Sequence, residues 1–79
     1  MYTVILVECS NRDNVGSYGT YKTINEARKA RDKFEEEQKK FMQNLTREQF
    51  CEFVEEIPVI VKNYSRTMSV SYILQNCWG

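Results

Sequence analysis

"PVIVKNYSRTMSVSYIL", residues 58–74, decides how many strands this chain has. Val59, Ile60 and Val61 form an unbroken β-branched run, and further on Met68, Val70, Tyr72 and Leu74 alternate with other residues so that they would share one face of a strand. β-Branched and aromatic side chains suit a pleated surface, and a period of two is the strand period. The stretch therefore predicts two strands of about six residues around a turn near Ser65–Thr67.

Upstream of it, Pro58 restricts the backbone of Ile57 and ends a helical region. In "GTYKTINEARKARDKFEEEQ", residues 19–38, Thr23 and Glu26 are spaced as a capping box, which satisfies orphan amides at a helix start reciprocally. Ile24, Ala27, Ala30, Phe34, Phe41 and Leu45 then fall near one face at helical spacing, with the two alanines allowing close approach to a sheet. Opposite-sign pairs four apart, such as Arg28 with Asp32 and Glu36 with Lys40, contribute ~0.3 kcal/mol each and mark the other face as solvated. A second capping box, Thr46 with Gln49, breaks or bends the helix at Thr46. Beyond it Phe50, Phe53, Val54 and Ile57 give one apolar face, and Glu48, Glu52, Glu55 and Glu56 stack opposite as an acidic stripe.

At the other end of the chain, Tyr2–Glu8 reads as a strand whose nearly continuous apolar run fits an inner position covered on both faces. "CSNRDNVGS", residues 9–17, is dense in turn formers, and Tyr18–Lys22 returns as a second strand. The expectation is one α+β domain over residues 1–79, of order β-β-α-α-β-β. It has a four-stranded, largely antiparallel sheet with one long, bent or broken helical segment packed on one face.

That arrangement leaves a sheet face open. Tyr2, Tyr18, Tyr21, Tyr64 and Tyr72 are its candidate partner-binding residues, because a tyrosine ring covers a large area while its hydroxyl tolerates water. The acidic stripe Glu48, Glu52, Glu55 and Glu56 joins them as a candidate docking surface for a basic partner. The doubly apolar Val4–Val7 segment, with one helical layer to cover it, further predicts a symmetric homodimer.

Composition narrows the chemistry. The chain has no histidine, so Ser-His-Asp and Cys–His nucleophiles are excluded, and a zinc site would need carboxylates to complete it. Cys9, Cys51 and Cys77 form no Cys-x-x-Cys pair and are expected to be reduced thiols. No catalytic residue, metal site or cofactor is expected. Eleven basic and eleven acidic residues cancel, so nucleic acid is not an expected partner. No stretch has the ~18–20 apolar residues of a membrane span, and the reading is a soluble cytoplasmic protein. Two alternatives use what remains. One is a nucleic-acid or regulatory binder with Arg12, Arg28, Lys29, Arg31 and Lys33 beside Tyr18 and Tyr21; the other is a small ligand-binding protein or thiol enzyme using a cysteine.

The segment "GSYGTYKTINEARKA", residues 16–30, resembles the strand, cap and helix start of short phage and mobile-element proteins. The resemblance covers about a fifth of the chain and transfers no site residue. It implies a phage accessory protein, of the anti-CRISPR or other host-inhibitor type, that binds a host factor or defence complex. "YTVILVE" and "GSYGTYKT" bear a more distant likeness to the hybrid-binding module of some ribonucleases H, without the tryptophan and basic residues such a module uses on a duplex.

Overall fold

Tyr2–Glu8 is strand β1, and its neighbours explain its apolar run. It lies between β2 (Val15–Tyr21) and β3 (Glu56–Lys62) in a sheet of order β2-β1-β3, antiparallel throughout. The computed structural model describes residues 1–9 and 15–77. The expected turn at residues 9–17 falls largely on 10–14, outside the described residues, and β2 begins at Val15 rather than Tyr18. β1 pairs with β2 from Tyr2↔Tyr21 to Val7↔Val15, with a register shift between Val4 and Ile5. The Tyr21 ring lies across Gly19, where a Cβ would come within 2.6 Å of its hydroxyl, so a side chain at that position must displace the ring.

Helix α1 (Ile24–Gln43) starts where its cap predicts, with Thr23 Oγ1 accepting from the Glu26 amide at 3.2 Å. The break at Thr46 also stands where expected. A complete capping box opens α2 (Arg47–Glu52): Thr46 accepts from the Gln49 amide at 3.2 Å, and Gln49 Oε1 from the Thr46 amide at 3.0 Å. α2 does not continue to Ile57, however. Phe53 is already extended, and the Cys9 amide donates to the Glu55 carbonyl at 2.9 Å, which draws the next residues into the sheet. Pro58 thus stands within β3, opposite Leu6, and β3 is an edge strand, where a residue without an N–H is tolerated.

The four-stranded sheet is overturned by the C-terminal segment. Asn63 turns the chain after β3 with a φ of 54°, a left-handed conformation that asparagine adopts more readily than most residues. The Met68 amide then donates to the Ser65 carbonyl at 3.0 Å, so the turn near Ser65–Thr67 exists. It leads into a helix and not a strand: α3 (Val70–Gln75) is capped by Ser69 Oγ, which accepts from the Tyr72 amide at 3.2 Å. Val70, Ile73 and Leu74 stand at i, i+3 and i+4, and so short a segment satisfies the helical period as well as the strand period. Burial separates the two: Ile73 is 0% exposed and Tyr72 49%.

The helices consequently cover both faces of the sheet, not one. α1 covers the first, where Val4, Ala27 and Ile60 are buried with Leu6, Tyr21 and Ile24 packed around them. Ile5, Val7 and Val61 point the other way onto Ile73, joined by Tyr64, Met68 and Leu74. This is why β1 is apolar on both faces. The cover that the homodimer expectation assigned to a second copy is supplied within the chain by α3. Thr3, the buried polar residue among those described, has its hydroxyl 3.1 Å from that of Thr20.

Candidate functional site

The core occupies only part of the molecule. From Arg28 to Ile57 no residue is fully buried. The radius of gyration is 13.2 Å, against about 11.6 Å for a compact chain of this length. The described residues extend 39 × 25 × 16 Å. The C-terminal half of α1 and α2 therefore form an arm that carries apolar side chains without a core of its own. Phe41 and Phe50 are more than half exposed and Val54 and Ile57 nearly so, while the Phe41 and Phe53 rings meet with centroids 5.6 Å apart.

Gln38 ties this arm to the sheet. Its side-chain amide makes two bonds to the backbone of Glu56: Nε2 donates to the carbonyl at 3.0 Å, and Oε1 accepts from the amide at 3.0 Å. Antiparallel pairing alternates bonded and unbonded residue pairs. The Cys9–Glu55 bond at one end and the Asn63–Met1 bond at the other set that phase, so Glu56 and Pro58 turn their backbone groups away from β1. Gln38 takes those of Glu56, and Pro58 has no N–H to offer. The outer edge of β3 is thereby closed over its first residues, as exposed edges of natural sheets often are.

Two hollows flank the clamp. The larger, about 600 Å³, opens between Met42 of α1, Phe50 of α2, and Ile57 and Pro58 of β3; Glu35, Glu55, Glu56 and Lys39 are also among its lining residues. The smaller, about 340 Å³, lies on the other flank of α1 among Phe34, Phe41, Phe53 and Val54. Solitary exposed apolar residues are ordinary; in the larger hollow several lie together, with charged residues among its lining.

The sequence-derived candidates are distributed more widely. Tyr2 and Tyr21 are half-buried on the α1 side, and Tyr64 is half-buried beneath α3. Tyr18 is partly exposed and meets Phe34 edge-on at 5.5 Å. Tyr72 is exposed on α3 beside a third hollow. The tyrosines are thus divided between the α1 side and the α3 side and do not share one open sheet face. Glu48 and Glu52 stand on α2, Glu55 in the extended segment after it and Glu56 in β3, so the four carboxylates do not form one helical stripe. Glu55 and Glu56 do meet at the larger hollow. On α1, Arg28, Lys29 and Lys33 are exposed, Arg31 reaches Asp32 at 3.3 Å, and Glu36 pairs with Lys40 at 3.2 Å. Arg12 lies outside the described residues.

Gln38, Met42, Phe50 and Ile57 as one site were not legible. Phe50 and Ile57 read as the inner face of a helix, and only the entry of Ile57 into an edge strand leaves them facing outward. Among the described residues no helix is long and apolar enough to cross a membrane, and no cluster of three or more Cys, Asp or Glu could hold a metal. Cys9, Cys51 and Cys77 are free and exposed. Titration of the native protein, without denaturant or prior reduction, should count all three thiols rapidly; a titre of one would mean a bridged pair. No protein-family model matches the chain, and no curated protein or solved structure is significantly similar to it.

Proposed function

We propose that this chain is a non-enzymatic protein-binding module that works by covering part of its partner's surface, in the manner of phage-type inhibitors of host enzymes or defence complexes. The observation that supports this reading is the apolar hollow of Met42, Phe50, Ile57 and Pro58, which lies between the arm and the edge strand β3 and leaves Phe50 and Ile57 largely exposed. Exposing such side chains lowers solubility and stabilises nothing, so their use is in association. The absence of histidine and of a catalytic motif in the sequence agrees with it.

Site-specific photo-crosslinking in the native host tests this directly. A photoreactive phenylalanine analogue at position 50 should capture a discrete protein, and the same analogue at Lys29, on the solvated face of α1, should not. Equal labelling at both positions, or none at position 50, would refute the reading.

A further inference from the structure

The larger hollow carries information about the kind of segment that fills it. It is bounded on one side by the outer edge of β3 at Glu56, Ile57 and Pro58. An extended segment recognised by strand addition needs free backbone donors and acceptors along that edge. Here the two groups of Glu56 are bonded to Gln38 at 3.0 Å each, and Pro58 lacks an N–H. A strand docked in the hollow would find its backbone unmatched over those residues. A helix satisfies its own backbone and presents only side chains, so it loses nothing there.

The charges select the sign of the occupant. Three carboxylates, Glu35, Glu55 and Glu56, line the hollow against one ammonium, Lys39, an excess of two negative charges beside the apolar Met42, Phe50, Ile57 and Pro58. Water is excluded from such apolar residues when they are covered, which strengthens the charge interactions beside them.

We propose that the hollow takes an amphipathic helix of the partner, with its apolar face on Phe50 and Ile57 and Lys or Arg residues set against Glu35, Glu55 and Glu56. This rests on the protein-binding reading and specifies the chemistry of the partner segment.

The probe is a synthetic amphipathic peptide of about 14 residues, with leucine at helical spacing and lysine elsewhere. Its companions are the same design with glutamate for lysine and an alternating Leu/Lys peptide that forms strands. Titrated into the isotopically labelled protein, the helical lysine peptide should shift the amide resonances of Met42, Phe50 and Ile57. It should bind at least ~10-fold more tightly than the glutamate peptide, with the difference shrinking as salt is raised. Phe50→Ala should weaken it ~10-fold or more, which a merely electrostatic adhesion would not show. Glu35→Gln with Glu55→Gln should weaken it ~3-fold and flatten the salt response.

Equal binding of the two helical peptides, tighter binding of the strand-forming peptide, or shifts confined to other surfaces would overturn the proposal. Sequencing the segment captured by crosslinking at position 50 separates the two claims. A captured segment that is acidic or extended defeats the helix assignment and leaves the protein-binding reading standing, whereas no capture defeats the protein-binding reading itself.

Discussion

Ile73→Ala should lower the unfolding free energy by ~2–4 kcal/mol, the usual cost of emptying a fully buried aliphatic site, while Tyr72→Ala should change it by less than ~1 kcal/mol. The contrast depends on α3 being a helix. Ile73 is 0% exposed against Ile5, Val7 and Val61, and its neighbour is half in solvent. Were residues 68–74 a strand, Met68, Val70, Tyr72 and Leu74 would share the inner face, and the order of the two costs would be reversed. Denaturant melts monitored by circular dichroism measure both. A domain of this size has few kcal/mol to lose, so Ile73→Val, expected to cost ~0.5–1.5 kcal/mol, keeps the test readable should the alanine variant be largely unfolded. A Tyr72→Ala cost above that of Ile73→Ala would restore the strand.

The ambiguity at α3 is a matter of length. Along α1 the apolar positions repeat over 20 residues, and no strand pattern imitates that. Over the six residues of α3 both periods can be satisfied, and propensity favours the strand because Val70, Tyr72 and Ile73 are good strand formers. The deciding signal is Ser69 standing ahead of Val70, Ile73 and Leu74, a cap without the Glu or Gln that marks a capping box. Where such a box is complete in the sequence, at Thr46 and Gln49, the helix start is legible to the residue. The apolar run of β1 correctly implies cover on both faces, but it does not say whether the second cover comes from α3 or from another chain. The candidate site is legible only in part: Glu55 and Glu56 stand out by their charge, whereas Phe50 and Ile57 read as buried residues. Pro58 reads as a helix stop, and the same residue serves as an edge residue of β3; only the pairing of Glu56 to Lys62 with β1 distinguishes the two roles.

Gln38 is where fold and site meet, and its substitution should be felt in both. Removing the side chain in Gln38→Ala deletes two hydrogen bonds and leaves the partly buried amide and carbonyl of Glu56 without their protein partners, at a cost of ~1–3 kcal/mol. Gln38→Met retains most of the volume and neither bond, so a similar loss in both variants assigns the effect to the hydrogen bonds and not to packing. Gln38→Glu keeps an acceptor for the Glu56 amide but loses the donor, and it adds a fourth carboxylate beside Glu35, Glu55 and Glu56; it should be at least as destabilising as Gln38→Met. Hydrogen exchange gives the local readout. The Glu56 amide should lose protection in the alanine and methionine variants while the amides of β1, central in the sheet, change only with global stability. The same variants free the outer edge of β3, so a strand-forming peptide that the parent protein rejects should begin to bind beside Ile57. Unchanged exchange at Glu56 in both variants would show that the edge is closed by something other than Gln38, and a helical partner would no longer be favoured over an extended one.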